Sequence, residues 1–247
     1  MNLKQPGELS KMREAGKIVA ETLVLLQKAV QPGITTAELD RIAERNIRRH
    51  GATPSFKGYR GFPATICVAI NDVVVHGIPG QRVLAEGDII SIDIGARFRG
   101  YHGDATITVP VGRISREAER LLAVCRESLD IGIAQSRAGN RLTDISAAIQ
   151  AHVEDAGFSV VRDLYGHGIG RNLHEEPMLP HYGPPGRGPV LQPGLVLTIE
   201  PMITAGSPAT RTLDDEWTII TLDGSLSAQF EHTVAITENG PEIFTQL

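Results

Sequence analysis

Apolar and polar positions along this chain follow two rhythms. From Glu8 to about Val30 the pattern is helix-like, and Pro32-Gly33 then makes a turn. Thr35-x-x-Glu38 is a capping-box pattern, in which a hydroxyl and a carboxylate satisfy each other's free N–H groups. It opens a second helix that Gly51 would end. The same order then returns. A helix-like stretch runs from about Ser115 to Gln135, Ala138-Gly139 follows, and a helix from Leu142 to Ala156 is closed by Gly157. Short apolar runs rich in β-branched residues, at 89–94, 195–199 and 233–236, read as strands.

The recurrence has a register. A shift of 106 residues sets Gly33 on Gly139, Leu39 on Ile145, Ile47 on Val153 and Gly51 on Gly157. A shift of 107 sets the strand GDIISID (87–93) on GLVLTIE (194–200), and so Asp93 on Glu200. Two different stretches agree in offset to within one residue, which indicates an internal duplication. The expected architecture is α+β: halves at about 8–110 and 115–245, each with two helices and then antiparallel strands. The strands join into one sheet, with the helices on one side of it. The whole of 1–247 forms a single domain, and HYGPPGRGPVLQPG (181–194) reads as a surface loop before a strand.

Against this pattern a few charges are out of place. Asp93 interrupts Ile89-Ile90-Ser91-Ile92-Asp93-Ile94, Glu200 ends Leu195–Ile199, and Glu231 precedes Thr233–Ile236. Buried carboxylates are rare unless something pairs with them. The segment DIISIDIGARFRGYHGDATITV looks like a hairpin turning at Arg97-Phe98-Arg99-Gly100. Its midpoint between Phe98 and Arg99 would place Asp93 directly opposite Asp104, with Cβ atoms about 5 Å apart. Like charges so placed destabilise a hairpin unless a cation lies between them. The bland alternative is two solvated aspartates, and for Glu200 and Glu231 it is edge charges that discourage aggregation.

His167 lies in Gly166-His167-Gly168-Ile169-Gly170, where glycines let the backbone approach a ligand. Arg171 stands where a dinucleotide fingerprint needs its third glycine. His174-Glu175-Glu176 is not an HExxH zinc helix either, because position 178 is Met and Pro177 interrupts the helix. Neither a G-x-S-x-G elbow nor a P-loop occurs. Asp93, Asp104, His167, Glu200 and Glu231 together make an oxygen-rich set. It suits paired Mn, Fe(II), Co or Zn ions, and ligand sharing between two ions favours hydrolysis by a bridging hydroxide.

Composition narrows the class. With 247 residues, 41% hydrophobic, and 26 glycines, the chain is an ordinary globular protein with a full core. A net charge of −5 without a basic block makes nucleic acid an unpromising partner. Cys67 and Cys125 form no CxxC, which fits a reduced compartment. The beginning MNLKQPGELSKMREAG has no apolar signal core, and no apolar run is long enough to span a membrane. A cytoplasmic enzyme or binding protein is expected.

Several stretches occur together and in order: NDVVVHGIPG (71–80), SIDIG (91–95), YHGDATITV (101–109), YGHGIGRNLHEEP (165–177), LTIEPM (197–202) and SAQFEHTVAIT (227–237). By these the chain closely resembles the type I methionine aminopeptidases, metallopeptidases of the pita-bread fold, from about Lys4 to the end. The resemblance implies five metal ligands: Asp104 and Glu231 bridging two ions, Asp93 completing one site, His167 and Glu200 the other. It makes His76 and His174 substrate-contacting groups near the scissile amide, with Glu200 as proton shuttle. It makes Tyr59, Phe62, Cys67 and Trp217 the lining of an apolar slot for methionine, with Cys67 a wall and not a nucleophile. Leu173 and Phe62 stand where relatives often carry other aromatics. The bare sequence agrees that Phe56, Tyr59 and Phe62, interleaved with Gly58 and Gly61, suit a cavity-lining loop.

The implied activity is removal of initiator methionine from nascent polypeptides with a small second residue, through attack of a metal-bridging hydroxide on the methionyl carbonyl. The family precedent is a monomer, and any ribosome contact would come from the catalytic domain's own surface. A proline-specific peptidase of the same fold is the nearest alternative, though such relatives usually carry an extra N-terminal domain. The type II enzymes carry a helical insert for which the spacing of 31 positions from Glu200 to Glu231 leaves no room. A non-catalytic binding relative would lack ligands that this chain keeps.

Overall fold

Capping chemistry sets the helix ends in the computed structural model, which describes residues 1–246. The first half runs α1 (Pro6–Ala29), α2 (Thr36–Arg49), β1 (Thr53–Pro54), a 3-10 turn (Tyr59–Gly61), β2 (Ile66–Ile70), β3 (Val73–Val75), β4 (Ile89–Phe98) and β5 (Tyr101–Pro110). The second opens with α3 (Arg116–Gln135), α4 (Leu142–Asp155), β6 (Ser159–Val160), β7 (Gly166–Gly168) and β8 (Glu175–Leu179). It continues with β9 (Val196–Ile199), β10 (Met202–Thr204), β11 (Thr210–Thr212), β12 (Ile219–Thr221), β13 (Ser227–Gln229), β14 (His232–Thr237) and β15 (Gly240–Ile243).

At the start of α2, Glu38 N–H donates to Thr35 Oγ1 at 3.2 Å and Thr35 N–H donates to the Glu38 carboxylate at 2.9 Å. Losing such a cap costs about 1 kcal/mol. At the start of α4, Arg141 N–H donates to Asp144 Oδ2 at 2.7 Å. Both helices bury a stripe of residues spaced four apart, Leu39-Ala43-Ile47 in α2 and Ile145-Ile149-Val153 in α4. Both end before a glycine in the left-handed region, Gly51 at φ 70° and Gly157 at φ 81°.

The duplication extends to single hydrogen bonds. Gly33 N–H donates to Leu84 O at 2.8 Å and Leu84 N–H to Ile34 O at 2.9 Å. In the second half Gly139 N–H donates to Leu191 O at 3.0 Å and Leu191 N–H to Asn140 O at 2.8 Å. β4 pairs with β2 and β5 in one half, and β9 pairs with β7 and β14 in the other. Each half packs its own core, around Leu39, Ile47, Ile92 and Ile94 in the first and Ile145, Ile149, Leu197 and Ile236 in the second.

The two halves meet where β5 runs beside residues 229–233. Glu231 N–H donates to Thr106 O at 2.9 Å, and Thr106 N–H returns the bond to Glu231 O at 3.4 Å. On one side Thr108 Oγ1 donates to Gln229 O at 2.6 Å and accepts Gln229 N–H at 3.1 Å. On the other Thr233 Oγ1 donates to Asp104 O at 2.7 Å and accepts Asp104 N–H at 3.0 Å. This reciprocal pattern is a local two-fold axis. It sets Asp104 against Gln229, Thr106 against Glu231 and Thr108 against Thr233.

The hairpin departs from the expected register. Phe98 pairs with Tyr101, so Asp93 faces Thr106 and Asp104 faces Gly95. The turn is the two-residue Arg99-Gly100, both at positive φ (48° and 86°), one residue later than the symmetric reading put it. Moving the midpoint by one residue changes the register by two, which keeps each side chain on its face. Asp93 and Asp104 therefore share a face as diagonal neighbours, about 7 Å apart, instead of a direct pair.

Candidate metal centre

Every second residue of a strand points to one face, and here that rule brings charges inward. Asp93 lies on β4, Asp104 on β5, His167 on β7, Glu200 directly after β9 and Glu231 directly before β14. The structure brings all five to one cavity at the join between the two halves. Ligand atoms of Asp104, His167 and Glu231 lie within 4.8 Å of one another. Glu200 Oε1 is 3.7 Å from His167 Nε2, and Asp93 stands against Asp104.

Burial of so many carboxylates carries an electrostatic cost. Burial pushes Asp93 up to about 7 and Glu200 up to about 8. Asp104 and Glu231 are raised well above the carboxylate range, by burial first and then by repulsion from the neighbouring acids. His167 goes the other way: burial, with His174 beside it, lowers it to about 3. Its Nδ1 lies 2.9 Å from Gly168 O, so the neutral ring donates there and keeps the Nε2 lone pair free.

Two oxygens test whether a cation fits. Asp93 Oδ1 and Asp104 Oδ1 are buried without a hydrogen-bond partner. A buried orphan acceptor is costly, and a divalent ion is the partner that also cancels the repulsion. Oxygen-rich donors plus one imidazole are the set that hard or borderline divalent metals take. The residues fit.

Neutral groups orient the acids. Thr106 Oγ1 donates to Glu231 Oε2 at 2.7 Å, Thr198 Oγ1 to Glu200 Oε1 at 2.8 Å, and Gln229 Nε2 to Glu200 Oε2 at 3.2 Å. His181 Nε2 accepts Glu200 N–H at 3.1 Å. None of these was expected. For Thr106 and Gln229 the repeat held no signal: its offset of 107 carries Asp104 to position 211, whereas the structure relates Asp104 to Gln229, 125 residues on. For His181 the Pro- and Gly-rich stretch pointed the wrong way. The segment is irregular, but His181 (1% exposed) and Leu191 (1%) are buried, because Glu200 and the α4 face need covering.

The acids form one wall of a cavity of about 370 Å³. His76, His174, Tyr59, Phe62, Cys67 and Trp217 line it as well. Trp217 meets Phe62 edge-on at 5.1 Å, and Leu173 packs in the same apolar cluster. The Tyr59 ring stacks on His174 at 5.3 Å, its OH is 2.9 Å from His174 Nδ1, and the His174 ring is 4.1 Å from that of His167. Burial lowers His174 to about 4. His76 follows β3 with φ 61°, a conformation that branched side chains resist, and burial lowers it too. Cys67 faces Asp93 across the β2–β4 ladder. Burial and then the acids raise its thiol well above the usual range, which leaves no thiolate to act as nucleophile. Tyr165, Met178 and Met202 complete the mouth and floor, unforeseen from the sequence. Glu175 begins β8, so the stretch that follows His174 is a strand and not a broken helix.

A buried acid–imidazole donor set beside an apolar slot, at the join of two duplicated α+β halves, defines a metal-dependent hydrolase. The chain belongs to metallopeptidase family M24, whose model matches residues 10–238. It is 58% identical over 244 residues to methionine aminopeptidase 1 of Bacillus subtilis, covering 99% of this chain and 98% of that one. The methionine aminopeptidase structure from Thermotoga maritima superposes with a TM-score of 0.99 at 44% identity, covering 100% of both chains. An Xaa-Pro dipeptidase from Bacillus anthracis shares the fold at a TM-score of 0.80 and 25% identity, covering 99% of this chain and 62% of that one. Among the described residues no helix is long and apolar enough to cross a membrane.

Proposed function

We propose that this protein is a metal-dependent aminopeptidase that removes the initiator methionine from nascent polypeptides whose second residue is small. The observation that carries this reading is that the donor set and an aromatic, sulfur-lined slot open into one cavity. Thioether contacts with aromatic edges and a thiol are favourable, which suits methionine to Phe62, Trp217, Tyr59 and Cys67. The protein acts as a cytoplasmic monomer and meets its substrates at the ribosome.

Two divalent ions, drawn from Mn, Fe(II), Co and Zn, would be held by Asp104 and Glu231 jointly, with Asp93 for one and His167 and Glu200 for the other. When bound, they supply Lewis acidity and an activated water. The side chains do the rest. Tyr59 OH donating to His174 Nδ1 leaves Nε2–H as a donor to the carbonyl oxygen while negative charge develops there. His76 contacts the substrate near the scissile amide. Glu200, oriented by Thr198 and Gln229, takes a proton and returns it to the leaving amine. Asp93 holds the free α-amine, which restricts cleavage to the chain's first bond.

Release of methionine from Met-Ala-Ser, set against cleavage of X-Pro peptides, tests the substrate class. Turnover of Met-Ala-Ser alone is expected, and preference for X-Pro would overturn the reading. Asp93→Ala and Glu231→Ala should each abolish turnover while the metal-free variants keep their fold by circular dichroism. Full activity after rigorous metal stripping would also sink it.

A further inference from the structure

His174 has no regular element to hold it. Residues 171–174 form a bend between β7 and β8, and only Glu175, the first residue of β8, enters the ladder, opposite Gly168. The Glu175 side chain does not point to solvent. Glu175 Oε2 lies 2.8 Å from Lys4 Nζ, and the two side chains are only 7% and 2% exposed. The other oxygen, Oε1, accepts Asn172 N–H at 3.2 Å, which closes the bend on itself. Lys4 is fixed in turn: its N–H donates to Gly194 O at 2.7 Å and its ammonium to Asn2 O at 3.0 Å. Gly170 makes room for the pair, since a Cβ there would lie 2.5 Å from Lys4 Cε and 2.8 Å from Glu175 Oε1.

A long cationic side chain buried to its tip is rarely kept for stability alone, because desolvation offsets most of what the pair gains. This pair lies one residue from an imidazole whose aim matters. We propose that Lys4 is a positioning residue for His174: paired with Glu175 beneath the bend, its ammonium fixes the backbone that presents the imidazole to the cavity. Lys4 touches neither substrate nor the acids. It acts through Glu175 and the bend, and this role rests on the function proposed above.

A double-mutant cycle on the full chain, with manganese bound and Met-Ala-Ser as substrate, tests it. Lys4→Met should lower kcat about 10- to 100-fold, the loss expected when a catalytic group is slightly misplaced. KM should stay within about two-fold, since binding contacts are intact. Lys4→Arg, which keeps the charge, should recover most of the rate. In a His174→Ala background Lys4→Met should cost nothing further, because its effect passes through a ring that is gone. An equal loss of kcat in both backgrounds overturns the proposal. So does a fall in manganese affinity that parallels kcat, which would place the effect on the neighbouring strand and His167. If Lys4→Met does not yield folded protein, Glu175→Gln, which keeps its shape, gives the same cycle with the same expected outcomes. Wild-type protein inert on Met-Ala-Ser would sink the parent function instead, so the two failures are distinguishable.

Discussion

A carboxylate in a buried strand must hold a proton, a hydrogen-bond donor or a cation, and that necessity made the site visible in the sequence. Asp93, Glu200 and Glu231 break apolar runs, and no packing reason explains them. The groups that orient them break nothing. Thr106 and Gln229 suit a strand, and His181 sits among prolines and glycines, so none of the three stands out. Their geometry still makes a definite demand. Gln229 gives its side-chain N–H to Glu200 Oε2 at 3.2 Å, from the position that the local two-fold relates to Asp104. Gln229→Met keeps the length and removes the donor. Losing an orienting partner of a metal-binding acid typically costs about 10- to 100-fold in metal affinity or activity. The variant should therefore bind manganese about ten-fold more weakly by titration calorimetry, at unchanged helix content. Wild-type affinity would show that Thr198 suffices to orient Glu200.

At the scale of elements, helix ends were the most legible part. The Thr35–Glu38 box and the closing glycines at 51 and 157 are local signals that tertiary packing has no reason to overrule. The hairpin was legible in existence and facing but not in register. A symmetric four-residue turn and the actual Arg99-Gly100 turn differ only in whether Arg99 accepts positive φ, which the sequence does not announce. The layering of helices on one side of the strands was legible, but the close approaches between elements were not. Gly103 on β5 looked like any strand glycine, yet α1 crosses it so closely that a Cβ there would lie 2.8 Å from Gly16 N. Gly16 is as confined on its other flank, where an added Cβ would lie 2.3 Å from Phe244 O. The obstacle is backbone on both sides and cannot swing away. Gly16→Ala should therefore destabilise the protein by about 1–3 kcal/mol despite alanine's better helix propensity. A melting temperature equal to or above wild type would mean that the β14–β15 end yields easily, contrary to this packing.

For the molecule as a whole, the first half supplies Asp93 and Asp104 and the second His167, Glu200 and Glu231, so an ion held by the proposed set would tie the halves together. Without it, stability and pH are linked through two opposed sets of groups. Acids raised in the fold keep protons that the unfolded chain has lost. The folded state therefore gains as pH falls through about 8 for Glu200 and about 7 for Asp93, and loses as pH rises through them. Buried histidines work in reverse. His167 and His181 sit near 3, and His102, His174 and His232 near 4, so the fold keeps them neutral where the unfolded chain would protonate them. Their contribution is lost as pH falls below the ordinary histidine value of about 6.5. The metal-free protein should then be most stable near pH ~6.5 and less stable at pH ~8. A bound divalent ion needs the acids without their protons, so each proton displaced adds about 1.4 kcal/mol of metal stabilisation per pH unit over this range. Melting curves with chelator and with saturating manganese, taken at pH ~6.5, ~7.2 and ~8, should show the gap between the two widening as pH rises. A gap that stays constant would mean that the ion does not displace protons from Asp93 and Glu200, and that the cation is held elsewhere.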